Sequence, residues 1–219
     1  SAPPEILDVL KNQYSISGKT VKFNNWISGD ADYENKVIPL NGFYTEPSFF
    51  EVFSFHLLKG NANAALAQPF QIILTESGAV KLFGSEDPIG KVISFGEKGD
   101  YTVSGLMADP PKNSHLTFEV LASYPSTTSL ERDEKIGRIT GEWTNFWDNY
   151  SYVQLDRTNL NKVQAALNQI SSSKYVNKDD VKVSFQLQPM SKIVMGWKNY
   201  NDDIGPYFGG PPVIGFGVL

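Results

Sequence analysis

AVKLFGSEDPIGKVISFGEKGDYTVSGLMADPPKNSH, residues 79–115, sets two runs of alternating apolar residues between clusters of turn-forming residues. The first run is 92–95 and the second is 101–106. Between the runs stand Gly96 and Gly99, which supply backbone conformations that other residues resist. Alternation with a period of two on both sides of such a turn predicts a β-hairpin. The stretch is therefore explained as a structural unit, with no catalytic role required.

The flanking residues extend this unit in both directions. Asp, Pro and Asn at 109–113 predict a further turn, and alternation over 116–122 predicts a third strand of a small antiparallel sheet. Upstream, the apolar run 70–74 predicts another strand. Thr75 is a suitable N-cap for a helix that Gly84 would end.

The first third of the chain mixes both kinds of element. Two prolines precede 5–11, where apolar residues fall on one face, so a helix is expected there. Strands are expected at 21–26 and 37–44, and the proline of the second suits an edge or irregular position. Aromatic residues at helical spacing predict a short buried helix within 47–53.

The last third of the chain also mixes predicted helices and strands. Residues 125–142 are polar and without period, which predicts an exposed connection. Strands are expected at 150–155 and 181–187, and a helix over 159–170 with Thr158 as its N-cap. The fold class predicted is therefore α+β.

Composition excludes several functions. The chain has 219 residues, a net charge of −5 and 19 Lys and Arg residues that form no basic run, so nucleic acid is not an expected partner. With no cysteine, the chain can have no disulfide, thiolate zinc site or cysteine nucleophile. No stretch has the ~20 consecutive apolar residues of a membrane helix.

Motifs for catalysis are missing. Ser114 and His115 are neighbours, but adjacent residues of a strand point to opposite faces, so they do not form a nucleophile and base. His115 is expected to be structural or on the surface. Neither the G-x-S-x-G elbow nor a P-loop occurs. The sequence therefore predicts no enzyme, no cofactor and no metal site.

Carboxylates leave two alternatives open. Asp202 and Asp203 could approach the aspartates at 179–180 or at 30 and 32 and bind Ca²⁺, but their spacing does not match an EF-hand, and a solvated surface is the preferred interpretation. A hydrolase with two carboxylates depends on distances that a sequence does not give. We rank it last.

The richest polar and aromatic stretch lies between 143 and 152. An exposed surface of this composition would bind a sugar or a partner protein, whereas buried rings would fill a core. Both interpretations remain open at this stage. The candidate contact residues are Trp143, Trp147, Tyr150 and Tyr152.

Four pieces of the chain, taken in order, carry a family resemblance. They are FFEVFSFHLLKGN (49–61), IILTESGAVKLFGSEDPIGKVI (72–93), YTVSGLMADPPKNSHLTFEVLASY (101–124) and LQPMSKI (187–193). Their succession resembles the extracytoplasmic core domain of MacB-like, FtsX-like ABC transporter permeases, in particular those of Bacteroidetes. Each piece alone is a weak signal, and the matched positions are turn and packing residues.

The resemblance implies a mixed α/β, porter-like subdomain from 1–60 and 143–219, and a mainly antiparallel β, sabre-like insertion at 61–142. It implies a periplasmic location, flanking transmembrane helices, a cytoplasmic ATPase, dimerisation in the full transporter, and a periplasmic or outer-membrane protein partner. The expected role is to transmit ATP-driven motion of those helices, and a glycan- or peptide-binding module is the alternative. The apolar tail 211–219, which composition alone suggests is a buried strand, is then expected to approach a membrane span.

Overall fold

The computed structural model of the chain describes residues 2–112, 114–145, 147–175 and 183–193, together with the backbone of 216–218. Five helices lie in this part of the chain: α1 (Glu5–Tyr14), α2 (Phe49–Val52), α3 (Glu76–Phe83), α4 (Pro125–Arg132) and α5 (Leu160–Lys174). The strands are β1 (Lys19–Asn24), β2 (Gly29–Tyr33), β3 (Lys36–Leu40), β4 (Gly42–Thr45), β5 (Leu57–Gly60), β6 (Gln71–Thr75), β7 (Val92–Ser94), β8 (Asp100–Met107), β9 (Val120–Ser123), β10 (Asn149–Gln154), β11 (Leu187–Pro189) and β12 (Phe216–Val218). The predicted α+β class is confirmed.

The chain divides into two compact units. Unit 1 comprises Ser1–Lys22 and Thr140–Leu219, and unit 2 comprises Phe23–Ile139. The predicted insertion at 61–142 ends near the last residue of unit 2, but it begins 38 residues after the first residue of unit 2. Unit 2 begins early because β2 pairs with β7 and β4 pairs with β9. The division into porter-like and sabre-like subdomains stays a prediction.

Unit 2 is built on a mixed sheet in the order β4-β9-β6-β8-β7-β2-β3, with β5 beside β8. The predicted hairpin is confirmed, since β7 and β8 pair antiparallel with Val92 opposite Thr102. The third predicted strand is β9, and its expected place next to β8 is wrong. It pairs with β4 in parallel and with β6 in antiparallel fashion. The buried strand β6 separates β9 from β8 because it pairs with both.

The edge strand β3 carries Pro39, as the sequence predicts. Among the described strands β3 is the last in the sheet order, and there it pairs only with β2. Proline has no N–H to donate to a neighbour, so it is tolerated at a sheet edge. The predicted single strand at 37–44 is in fact two strands, β3 and β4, which Asn41 separates.

Capping residues determine both ends of helix α3. Thr75 Oγ1 accepts a hydrogen bond from Gly78 N–H at 3.2 Å, and Gly84 follows the last turn with a φ of 64°. Both predicted ends are confirmed. The helix packs on β6 and buries Leu82 and Phe83.

Two groups of buried and half-buried side chains stabilise unit 2. The first lies under α3 and includes Tyr44 and Tyr101, whose hydroxyl groups are 2.9 Å apart. Burial raises the pKa of both hydroxyls, that of Tyr101 to about 12, so both stay protonated. The second group, called the phenylalanine cluster here, contains Phe23, Phe43, Phe49, Phe50, Phe53, Phe55 and Phe118.

Unit 1 packs α1 against α5. The first helix buries Ile6, Leu7 and Leu10, as the sequence predicts. The predicted N-cap of the last helix is wrong: Thr158 lies within a 3-10 turn, Arg157–Asn159, and α5 begins at Leu160. The shared apolar core consists of Ala2, Ile6, Leu7, Leu10, Ile16, Val153, Val163, Ala166, Leu167, Ile170, Tyr175 and Phe185.

Three further predictions need correction or qualification. Residues 125–142 contain α4, whose Ser126, Thr127 and Leu130 are buried, so this segment is more than an exposed connection. In the predicted strand at 181–187, residues 181–182 lie outside the described residues and only Leu187 is in a strand, β11. In the apolar tail, the backbone of Phe216–Val218 forms β12. For these three residues the structure agrees with the strand that composition suggests, and not with an approach to a membrane span.

Candidate functional site

The four candidate aromatic residues do not form one surface. Trp147 is exposed over 58% of its area, and Trp143 is half-buried against the core of unit 1. Tyr150 and Tyr152 have only 5% and 3% of their area exposed. For the two tyrosines, the core interpretation therefore applies, and contact with a partner is left to the tryptophans.

The tyrosines are buried because of the strand in which they lie. Every residue of β10 from Asn149 to Val153 is buried. A parallel strand with both faces covered has no solvent-facing side, and β10 pairs in parallel with β12. Alternation of polar and aromatic residues does not distinguish such a strand from one that is half-exposed.

An open groove of about 250 Å³ lies between α1 and the Trp143 ring. Lys174 at the end of α5 contributes one wall, and its Nζ is 4.9 Å from the centroid of the Trp143 ring. Glu5 and Asp8 line the opposite side, on α1. The groove therefore combines an aromatic ring, a cation and two carboxylates, which suits a ligand with both apolar and polar parts.

Hydrogen bonds fix the Trp143 segment in place. The Tyr175 hydroxyl donates to the Trp143 carbonyl, and Gly141 N–H donates to Glu5 Oε1. Burial, followed by the nearby Glu5 carboxylate, raises the pKa of Tyr175 to about 12, so the phenol remains a donor at neutral pH. Glu5 Oε2 is buried and accepts no hydrogen bond. The groove therefore has one rigid wall.

A second hollow, of about 280 Å³, lies beside α3 in unit 2. Its apolar part includes Val80, which is 61% exposed, and Leu106. An ion pair between Lys59 and Asp87, 2.8 Å long, lies at its rim. Surface ion pairs of this kind contribute little to stability. The hollow holds no convergent set of reactive groups among its lining residues.

His115 is structural, as expected. It lies between β8 and β9 with 6% of its area exposed. Burial lowers the pKa of its imidazole to about 4, because the charged form would lose its hydration. The other histidine, His56, is exposed. The hydroxyl oxygen of the neighbouring Ser114 accepts a hydrogen bond from Leu116 N–H at 3.0 Å.

Burial of His115 makes stability depend on pH. An unfolded histidine has a pKa near 6.5, so between pH 6.5 and about 4 the unfolded chain binds the additional proton. Stability is complete above pH 6.5 and falls as pH is lowered. From pH 7 to pH 5 we expect the free energy of unfolding to drop by about 2 kcal/mol from this group. Urea unfolding at the two pH values measures it.

The matched variants use the only two histidines of the chain. His115→Gln should remove most of the drop, and His56→Gln should leave it intact. An equal drop in the wild-type protein and in His115→Gln would contradict the assignment.

Neither a membrane-spanning helix nor a metal-binding cluster occurs in the described part of the chain. No helix within the described residues is long and apolar enough to cross a membrane. In the same part of the chain, no three His, Asp or Glu side chains are grouped to hold a metal ion. Of the proposed calcium ligands, Asp30 is in β2, whereas the aspartates at 179–180 and 202–203 lie outside the described residues.

Solved structures of three bacterial domains share this fold. A domain of a protein described as a permease, from Porphyromonas gingivalis, is 20% identical with a TM-score of 0.57, and the match covers 70% of this chain and 62% of that one. The periplasmic region of MacB from Actinobacillus actinomycetemcomitans is 19% identical with a TM-score of 0.58, and the match covers 82% of this chain and 77% of that one. The extracellular domain of the noncanonic ABC-type transporter YknZ from Gram-positive bacteria is 17% identical with a TM-score of 0.57. The match covers 82% of this chain and 86% of that one.

These likenesses show that the chain shares the α+β fold of those three domains. Residues 3–170 match the family described as the MacB-like periplasmic core domain, so the chain belongs to that family. The resemblance predicted from the sequence is confirmed. None of the curated proteins matches the chain. This chain spans less than two thirds of the Porphyromonas gingivalis chain.

Proposed function

We propose that the chain is the periplasmic domain of an ABC transporter permease and that it transmits ATP-driven motion of flanking membrane helices to a substrate or protein partner outside the membrane. It performs no catalysis. Membership of the MacB-like periplasmic core domain family supports the transporter context. The transmitting role is supported by how the two ends of the described chain are held.

Both ends of the described chain are attached to one strand of unit 1. Ala2 N–H donates to the Asn149 carbonyl at 2.9 Å, at the start of β10. In β12, Val218 lies opposite Val153, near the end of β10. The two attachment points are about 13 Å apart along the strand. Membrane helices that pack side by side are about 8–10 Å apart, so a pair of them could connect to both points.

Stiffness is the second requirement of a transmitting domain. The phenylalanine cluster and the core under α3 give unit 2 two close-packed groups of side chains. A close-packed interior has low compressibility, so it passes on a displacement instead of absorbing it. Unit 2 would therefore move as a body when the helices move.

Distance measurements between spin labels test this role in the full-length permease. These 219 residues contain no cysteine, so in a permease whose remaining cysteines are replaced, Val80→Cys on α3 and Thr128→Cys on α4, both exposed, introduce unique labels. We expect the distance between Val80 labels on two copies of the permease to change between the nucleotide-free and the ATP-bound, vanadate-trapped states. The distance between Val80 and Thr128 labels within one copy should stay constant.

The proposal fails if the distance between copies is the same in every nucleotide state. It also fails if the distance within unit 2 changes as much as the distance between copies, because the unit would then be absorbing the motion.

The second candidate function is binding of a glycan or peptide through unit 1. The exposure of Trp147 and the groove beside Trp143 favour it. Titration should then quench tryptophan fluorescence, and Trp147→Ala should remove part of the quenching. Flat titrations with the wild-type protein would leave the transmitting role as the remaining candidate.

A further inference from the structure

Asn41–Gly42 is the only Asn-Gly pair in the sequence. It connects β3 to β4, and the Asn41 side chain is exposed. Asparagine is among the thermolabile residues, and a following glycine has no Cβ to hinder attack on the side-chain amide. The pair is therefore the most reactive site of its type in this chain.

Hydrogen bonds restrain both groups that would react. The backbone N–H of Gly42 donates to Ser28 Oγ at 2.9 Å. Ser28 Oγ lies 3.0 Å from Asn41 Oδ1 and 3.0 Å from the Gly42 carbonyl, and its proton can be donated to either. Asn41 Nδ2 donates to the Thr117 carbonyl at 3.3 Å. The nucleophile and the electrophilic amide are thus both engaged with other partners.

The backbone on the other side of Asn41 is also held. Its carbonyl accepts a hydrogen bond from Glu119 N–H at 2.7 Å. Its N–H donates to the Glu119 carboxylate at 3.4 Å. The reaction needs the Gly42 nitrogen and the Asn41 Cγ atom to approach in an aligned geometry. Reaching that geometry requires rotation about bonds that these contacts oppose.

We propose that Asn41 is a deamidation site and that Ser28 controls its rate. The site is nearly inert while the Ser28 contacts are formed, and it reacts when the junction between β3 and β4 opens. Its modification therefore records how often this junction opens during the life of the protein.

The reaction is balanced with water alone. The deprotonated Gly42 nitrogen attacks Asn41 Cγ, a new C–N bond forms, and the Cγ–Nδ2 bond breaks. Nδ2 leaves as ammonia after taking up a proton, and a cyclic imide remains. Water then opens the imide at one of its two carbonyls, which yields aspartate or isoaspartate.

The product would disturb this junction in two ways. A new carboxylate at position 41 would stand beside Glu119, and like charges at short distance repel. Isoaspartate would also add one methylene to the backbone between β3 and β4. Because Gly42 pairs with Val120, the added atom would displace β4 from its register with β9.

Tryptic digestion isolates the site. Cleavage after Lys36 and Lys59 releases 37–59, a peptide in which Asn41 is the only Asn or Gln residue. Its mass increases when the amide becomes a carboxylate, and chromatography separates the isoaspartate form. We expect the native protein to deamidate at least about tenfold more slowly than the same protein in concentrated urea, since at least one hydrogen bond must open first.

Variants of Ser28 test whether this side chain controls the deamidation rate. Ser28→Ala should accelerate deamidation of the folded protein about tenfold, because it removes the partner of the Gly42 N–H. Ser28→Thr keeps the hydroxyl and should restore the slow rate. Val103→Ala, a buried change elsewhere in unit 2, serves as the control for general loss of stability.

Three results would overturn the proposal. The first is equal rates in the native and urea-unfolded wild-type protein, a comparison that needs no variant. The second is a Ser28→Ala rate equal to the wild-type rate. The third is an acceleration in Val103→Ala that matches that in Ser28→Ala at equal loss of stability, because the rate would then follow global unfolding.

Discussion

Replacing Phe49 with alanine is expected to lower the free energy of unfolding by about 3–5 kcal/mol. The Phe49 ring is fully buried, and five other phenylalanine rings lie within 6 Å of its centroid. Deletion removes apolar area and leaves a cavity, because rings held on regular elements, such as Phe23 on β1 and Phe50 on α2, cannot all move to fill it. Urea unfolding at pH 7 measures the change.

The neighbouring residue of the same helix is the matched control. Phe50 is half-buried, and Phe50→Ala should cost about 1–2 kcal/mol, since less area leaves water on folding. If both variants lost the same stability, the cluster would not be centred on Phe49. A loss below 1 kcal/mol in Phe49→Ala would show that unit 2 does not depend on the cluster.

The second large effect is expected from Gly42→Ala. Gly42 faces Val120 across the parallel pair of β4 and β9. A Cβ atom at this position would lie 2.1 Å from the Val120 carbonyl oxygen and 2.4 Å from Val120 Cγ1. The oxygen belongs to the backbone of a buried strand, so relief requires the two strands to separate. We expect the free energy of unfolding to fall by more than about 3 kcal/mol, a loss large enough that unit 2 could be unfolded in this variant.

Gly90→Ala separates steric conflict from backbone conformation. Gly90 has a φ of 81°, and a Cβ there would meet no atom within 4 Å. Alanine at Gly90 should therefore cost only the strain of a left-handed backbone, about 1–2 kcal/mol. Equal losses at the two glycines would contradict the packing argument for Gly42.

Local signals predicted the elements whose ends depend on a few residues. Thr75 and Gly84 determine α3, and glycines at 96 and 99 determine the hairpin of β7 and β8. These features depend on backbone conformations and caps that lie within a few residues of each other. They could therefore be read from the sequence.

Features that depend on distant partners could not be predicted in the same way. The parallel pairs of β4 with β9 and of β6 with β8 join segments far apart in the chain. In α4, small polar residues such as Ser126 are buried because they are hydrogen-bonded: Ser126 Oγ accepts from Phe70 N–H at 2.8 Å. A polar stretch with one apolar residue gives no sign of such burial.

The candidate contact residues illustrate the same limit. Tyr150 and Tyr152 are core residues because β10 is covered on both faces, a property of its neighbours. The reactive Asn41–Gly42 pair can be recognised in the sequence, but the protecting hydroxyl of Ser28 comes from a segment 13 residues away. Only the folded chain brings the two together.

Pro39 has a consequence for self-association of the protein. A sheet edge with free N–H and C=O groups can recruit the edge of another molecule and grow into fibrils. At Pro39 the ring removes one donor from the outer row of β3. We therefore expect this strand to resist pairing with the same strand of a second copy.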